Sequence, residues 1–452
     1  MDYGIISLLP IVCIIVMAVV TRRGIEALAF GVIVCYIILE GFDFFFVMLD
    51  DLIAAMGDYD ALWLLLLCVF LGSLSILLER SGSVHGLARA LGRFANSPKK
   101  SMFAAYLAGI VVFFDDYLNI FVVGSLMKKV TDKNKVPREM LAYIVDSTAA
   151  PVCLLIPLSS WFVFFSVIFG EQPELEQFGS GQGVYLQSIP FIFYAWATVI
   201  VVPLVIAGAI PKFKPMRKAV ERARSGQLMS PESAKLAINQ EGKTANKNQG
   251  NPWDFALPVL AVIVLSIVTG DVLVGLIAGN VVCFVLYWPR KKMKFSVFFD
   301  NALDGFASAT PLVVICVISV FARTGFSKLG ISDYVISVAE PYLSPNLFPA
   351  ISFVIVAALA FVTVSCWGIV SISIPILIPI AVAVGADPII TAGAILSGSG
   401  FGSHTCPYED ASVLTSQVTG ISYIEHFATQ APFAGIGAAL SVAGYVVCGY
   451  IF

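Results

Sequence analysis

Apolar runs of membrane-spanning length alternate along this chain with short polar connectors. A helix needs about 17–25 apolar residues to cross a bilayer. Runs near 4–20, 25–39, 61–78, 140–169, 188–210, 254–269, 271–288, 308–326, 388–415 and 429–451 meet that demand. Two more apolar stretches, 101–127 and 348–384, have a different character, which the charges around them reveal.

The connectors sort by sign. Arg22-Arg23 and stretches 79–100, 128–139, 211–252 and 289–294 hold 25 of the 27 Lys and Arg residues. Stretches 40–60 and 171–187 carry six and three acidic residues and no Lys or Arg. Basic connectors stay in the cytoplasm, so the pattern predicts both termini outside. Stretch 101–127 then has basic residues, and hence the cytoplasm, at both ends. A single crossing cannot do this, but a re-entrant hairpin can, with its tip near Phe114-Asp115-Asp116. Irregular backbone at that depth survives only inside protein or against a wet cavity. Stretch 348–384 reads as the same device entering from outside, with its tip near Ser365-Cys366-Trp367-Gly368.

Composition agrees. Of 452 residues, 58% are hydrophobic and 13% charged, against about 25% charged in soluble proteins. So few charges cannot cover a water-facing surface. A soluble enzyme, a nucleic-acid binder and a disordered scaffold are excluded. Nine cysteines lie scattered in apolar runs without a CxxC pair, which argues against a disulfide framework or structural zinc. The first run, Tyr3 to Val20, has no basic residue before it and is expected to remain as a spanning helix.

The two halves resemble each other. At an offset of 248, Thr21/Thr269, Leu28/Leu276, Gly31/Gly279, Val34/Val282 and Cys35/Cys283 coincide, and further on Ser147 and Pro151 fall on Ser403 and Pro407. Equivalent connectors carry opposite charge, as oppositely oriented halves require. The expected fold is an all-α polytopic membrane protein of two inverted-topology repeats. Each has about five spanning helices, one re-entrant hairpin and one broken helix, an architecture of secondary transporters. Residues 1–210 form the first repeat, 211–252 a basic cytoplasmic linker with a surface helix near 215–237, and 253–452 the second repeat.

Three segments interrupt the apolar runs with chemistry. In 111–124, Asp115 and Asp116 sit within an apolar stretch, where a charge costs about 2.5–3.5 kcal/mol on insertion scales. Adjacent residues do not share a helix face, so one carboxylate is expected to face a cavity while the other caps a helix; both capping the turn is the alternative. Asn119 lies one turn on. In 143–161, Asp146-Ser147-Thr148 precedes Pro151 and Pro157, which disrupt helix. Freed carbonyls and hydroxyls suit a hard cation, so Na+ at Asp146, Ser147 and Thr148 is one reading and an N-cap the other. In 397–416, Gly398, Gly400 and Gly402 are expected to break a span near Ser399, Ser403, His404 and Thr405, with Glu409 and Asp410 following as ligands or caps. His404 titrates near neutral pH in ordinary surroundings; a structural histidine is the alternative. Ser365 and Trp367 would close the pocket. His85 and His426 are expected to be solvated. No GxxxxGK[ST] motif suggests ATP-driven pumping.

FFDDYLN (113–119), LAYIVDSTAAPVCLLIPLSSW (141–161) and SGSGFGSHTCPYEDAS (397–412) resemble the NhaC-like sodium/proton antiporter family of the ion transporter superfamily. The family usually reads like GDHCSPISDTT in the third segment. Ser403 stands where its first Asp would be, and Asp410 matches its later one. The resemblance implies a cation-coupled antiporter of the cytoplasmic membrane with sites at both broken helices.

The resulting expectation is a secondary transporter exchanging Na+ for H+ in the inner membrane. Asp115, Asp116 and Asp146 would couple ion and proton. Asn119, Ser147, Thr148, Ser399, Ser403, His404, Thr405, Glu409 and Asp410 would complete the binding site. No cofactor is expected beyond the transported ions. Expected partners are the lipid bilayer and a small cation or organic ion, with a homodimer as the assembly and no nucleic acid. Na+- or H+-coupled movement of a carboxylate or amino acid is the alternative within the class. An intramembrane hydrolase built on Gly398-Ser399-Gly400 and His404 is the alternative outside it.

Overall fold

A computed structural model describes residues 3–21, 24–56, 59–83, 95–238, 251–269, 271–331, 334, 343–363 and 366–452. Regular structure among them is helical, with no strand. The first half holds α1 (Leu9–Thr21), α2 (Gly24–Glu40), α3 (Phe44–Met56), α4 (Tyr59–Arg80), α5 (Pro98–Val111) and α6 (Asp116–Lys133). It continues with α7 (Arg138–Ser147), α8 (Ala150–Leu155), α9 (Ser160–Gly170), α10 (Gly181–Ser188) and α11 (Phe193–Ala207). The linker contains α12 (Lys214–Arg224) and α13 (Pro231–Ile238). The second half holds α14 (Trp253–Thr269), α15 (Val272–Tyr287), α16 (Phe295–Ser308), α17 (Thr310–Leu329), α18 (Phe348–Thr363) and α19 (Cys366–Val384). It ends with α20 (Pro388–Thr405), α21 (Asp410–Thr419) and α22 (Tyr423–Ile451). The acidic connector 40–60 is thus largely helical rather than a loop.

Local chemistry places these boundaries. Ser97 caps α5 by accepting from Lys100 N, with Pro98 in the first turn, where its missing N–H costs nothing. Asp387 caps α20 in the same way, accepting from Ile389 N and Ile390 N, again with proline next. Gly208, at φ +94°, ends α11 in the left-handed conformation that glycine adopts freely.

One contact occurs twice. Gly31 on α2 presses against Ile14 and the Pro10 carbonyl of α1, and Gly279 on α15 presses against Val262 and the Pro258 carbonyl of α14. The partners are again 248 apart. The matched positions Leu28/Leu276 and Cys35/Cys283 are all buried. The apparent sequence repeat therefore marks a repeated helix-pair contact.

Both apolar stretches of odd length are hairpins. Asn134 Nδ2, beyond the end of α6, donates to the Ala95 carbonyl before α5 at 3.0 Å, so the two ends of 98–133 lie together. In the second, Phe348 at the start of α18 clusters with Ile380 and Ala381 near the end of α19. Helix α11 shows where each hairpin opens. Its C-terminal carbonyl, Ala207 O, accepts from Lys99 Nζ at 2.9 Å at the mouth of the first hairpin. Before its N-terminus, Phe191 stacks edge-on with Phe452, and the neighbouring Gly449 abuts Asn346 at the mouth of the second. The mouths sit at opposite ends of α11, and the tips point toward each other.

The second break differs from expectation. Gly398, Gly400 and Gly402 do not interrupt α20, which runs unbroken to Thr405. Gly398 and Gly402 are four apart and let α20 sit against α18: a Cβ on Gly402 would lie 2.3 Å from the Ala360 Cβ, and one on Gly398 2.8 Å from that of Val356. Small residues at this spacing allow close helix contact in membranes. The interruption falls instead at Cys406–Glu409, around Pro407. The first broken helix matches expectation, with gaps after Ser147 and after Leu155. Leu158, at φ +113°, lies in the second gap, and such a conformation in a branched residue is strained.

Candidate functional site

The centre of the site is the gap between α7 and α8. Asp146, in the last turn of α7, is 2% exposed. Its Oδ2 accepts from Gln430 Nε2 at 2.7 Å, His426 Nε2 at 2.9 Å and Ser412 Oγ at 3.3 Å. These donors come from α22 and α21. A buried carboxylate needs such partners, because an unpaired charge at this depth is costly.

Next to it, Ser147 Oγ lies 2.9 Å from His404 Nε2, and Tyr194 OH lies 2.7 Å from His404 Nδ1. Gln430 Nε2 also donates to the His404 carbonyl. Hydroxyls both donate and accept. The His404 ring can therefore exchange tautomers, or take a proton, without losing either partner. Asp146, His426 and His404 together form one buried titratable network spanning α7, α20 and α22.

His426 is a correction. The expectation is a solvated side chain; the structure buries it at 1% exposure against Asp146. The available signal was its spacing: Glu425, His426 and Gln430 occupy one stretch of an otherwise apolar helix, and His426 and Gln430 are four apart and share a face. His85 lies outside the described residues.

The first hairpin's tip braces this gap. Asn119 Nδ2 contacts three carbonyls, Gly109 at 2.6 Å, Val112 at 2.9 Å and Thr148 at 2.9 Å. Asn119 is thus a brace, not a free ligand on its amide nitrogen, while its Oδ1 is buried and without a partner. Ser160 N donates to Phe114 O at 2.8 Å, tying the tip to α9. The two aspartates separate. Asp115 Oδ1 caps α6, accepting from Leu118 N at 3.0 Å. Asp116 is buried at 2% exposure and lies beside the Trp161 indole.

The second hairpin's tip approaches from the other side. Trp367 packs against Trp161 and Phe164, with ring centroids 4.7 and 4.8 Å apart. Ser365 lies outside the described residues. Cys366 Sγ is 3.7 Å from Glu409 Oε1, and Asp116 lies within electrostatic reach of Glu409.

The remaining expected residues divide. Glu409 caps α21 through Ala411 N at 2.7 Å, yet is itself buried. Ser403 Oγ is buried and unpartnered. Thr148 and Thr405 spend their hydroxyls on carbonyls of their own helices, Ile144 and Phe401. Asp410 is exposed in the first turn of α21 and stays out of the network; a carboxylate there suits the positive helix end. Na+ held by Asp146, Ser147 and Thr148 as they stand also conflicts with the geometry, since hydrogen-bond donors crowd Asp146 Oδ2 and Ser147 is taken by His404. The hydrolase pair does not form: Ser399 Oγ donates to the Cys366 carbonyl at 3.2 Å, and His404 faces Ser147 and Tyr194.

Opposed hairpins meeting at broken helices, with a buried polar network between them, define a multi-pass membrane protein of the secondary-transporter class. Residues 152–450 match the Na+/H+ antiporter family, and the chain belongs to that family. An uncharacterized protein of Haemophilus influenzae is 25% identical over 99% of this chain and 91% of its own length. Two solved transporters share the fold. The Alcanivorax borkumensis YdaH transporter matches with a TM-score of 0.61 at 15% identity, covering 91% of this chain and 89% of its own. Neisseria gonorrhoeae MtrF, described as illuminating a class of antimetabolite efflux pumps, matches with a TM-score of 0.55 at 13% identity, covering 90% and 85%.

Proposed function

We propose that this chain exchanges Na+ for H+ across a cytoplasmic membrane, with both termini outside and the basic connectors inside. The two halves are inverted repeats. The opposed hairpin mouths and the Gly31/Gly279 contact support that reading.

The observation that carries the function is Asp146, a buried carboxylate at a helix break, bonded to His426 and neighbouring His404. A carboxyl that takes up a proton loses the charge that holds a cation. Proton and cation therefore compete for one site, which is the minimum that antiport requires. For a cation to reach Asp146, the donors of His426 and Gln430 must turn away. Asp116 and Glu409, brought close where the hairpin tips meet, supply further carboxyl groups for a cation.

A second reading is coupled movement of a small organic ion. It rests on the mixed set of buried atoms left without partners around Asp146, including Tyr143 OH, Ser403 Oγ, Gln430 Oε1 and His426 Nδ1. Donors and acceptors together suit an organic ion better than a bare cation.

Reconstitution into liposomes with an internal pH-sensitive dye tests both. Addition of Na+, but not choline, should move protons outward through wild-type protein and not through Asp146→Asn. Proton movement that answers only to an organic acid or amino acid would transfer the assignment to the second reading. Full Na+-driven flux through Asp146→Asn would remove Asp146 from the mechanism.

A further inference from the structure

The linker between the halves is wired to this network. On α12, Met216, Ala219 and Ala223 are buried, and Phe213 just before it stacks edge-on with Phe433 of α22 at 5.2 Å. Arg222 Nη2 meets Glu139 Oε1 at 2.6 Å. Glu139 is 2% exposed and lies in the first turn of α7, the helix that carries Asp146 seven residues on. Arg138 N donates to the Leu228 carbonyl at 3.2 Å. On α13, the Ser233 hydroxyl donates to Glu425 and accepts from Ser422 N at 2.9 Å. Ser422 and Glu425 begin α22, the helix that carries His426 and Gln430.

The linker therefore grips, at two points, the two helices whose side chains meet at Asp146. A flexible tether would need neither grip. Burying Glu139 is costly unless Arg222 stays, and the Ser233 hydroxyl is wholly buried against the start of α22.

We propose that Arg222 and Ser233 are positioning residues: the linker helices form a strap holding α7 and α22 in the register that brings His426 and Gln430 onto Asp146. The strap rests on the assignment of that site given above. Other charged groups facing the junction are Glu139 and Glu425 at its base and His404 across it. A shift of α22 by part of a turn would carry His426 off Asp146 while leaving both helices intact.

The test is hydrogen–deuterium exchange of full-length protein in detergent, paired with flux in proteoliposomes. Ser233→Ala should speed amide exchange in the first two turns of α22 about fivefold, the scale of one net hydrogen bond. Exchange in α15 should not change. Ser233→Thr keeps the hydroxyl and should restore wild-type exchange. Arg222→Gln should have the same effect at the start of α7, with Arg222→Lys giving partial rescue, because lysine keeps the charge but not the planar fork. Sodium-driven flux should fall about tenfold in Ser233→Ala and recover in Ser233→Thr. Unchanged exchange at α7 and α22 in both loss variants would overturn the strap, whatever the transported ion. Altered exchange with no sodium-driven flux in wild-type protein would leave the strap standing and count against the Na+/H+ assignment alone.

Discussion

At the scale of single residues, the adjacent pair Asp115-Asp116 shows how local chemistry assigns roles. Asp115 is a helix cap, and asparagine caps as well as aspartate does. Asp115→Asn should therefore change stability by less than about 0.5 kcal/mol and leave most transport intact. Asp116 is buried beside Trp161 and close to Glu409. Asp116→Asn should abolish cation-driven proton flux at normal expression, and wild-type flux through it would remove Asp116 from the mechanism. His426 and Asp146 offer a second test at this scale. Removing His426 takes one of three hydrogen-bond donors from buried Asp146 Oδ2, at a cost of about 1–3 kcal/mol. If the two side chains interact directly, His426→Ala should destabilise far less in an Asp146→Asn background. A double-mutant cycle from unfolding in detergent should show coupling of about 1–3 kcal/mol, and additive effects would mean that the 2.9 Å contact does not bear on stability.

At the scale of elements, what matters is where helices stop and how closely they approach. Prolines marked the first break correctly, since Pro151 and Pro157 flank real gaps. Glycines misled at the second. Isolated glycine weakens a helix by about 1 kcal/mol, which is too little to break one whose neighbours gain by its absence of a side chain. Pro407, which has no N–H to give to the preceding turn, lies in the actual interruption. Gly402→Ala tests this directly: the added Cβ would meet the Ala360 Cβ at 2.3 Å and its backbone carbon at 3.0 Å. Backbone cannot yield as a flexible side chain would, so the substitution should cost about 1–3 kcal/mol in thermal unfolding in detergent. Alanine at Gly435, whose Cβ would meet nothing within 4 Å, is the control. A tolerated Gly402→Ala would show that the contact of α20 with α18 does not require glycine there.

At the scale of the whole molecule, the hairpins carry a topological prediction. Ala95 and Asn134 are hydrogen-bonded neighbours, so cysteines placed at Lys100 and Lys135 should be labelled from the same face by an impermeant reagent. A cysteine at Ser225 should share that face, and one at Glu176 should be reached only from the other. Labelling of 176 and 225 from one side would defeat the inverted arrangement. The linker also takes its meaning at this scale. Its polar, basic composition reads as a solvated tether, yet Arg222 and Ser233 reach buried partners far away in sequence.

The sequence by itself determined the membrane class, the polytopic helical fold, both hairpins and the first broken helix. These depend on run length, on the sign of nearby charges and on proline, all properties of local segments in contact with lipid or water. It also pointed to Asp146, because a carboxylate inside an apolar run needs a reason to be there. Tertiary structure alone decided which groups Asp146 meets. His426 and Gln430 lie 280 and 284 residues away, and nothing in the periodicity of α22 states which helix its polar face will find. It likewise decided that Asn119 spends its amide on three carbonyls, that Asp410 stays exposed at the start of α21, and that Gly398 and Gly402 join helices rather than part them. Each of these is a choice between partners distant in sequence, and only packing brings the partners together.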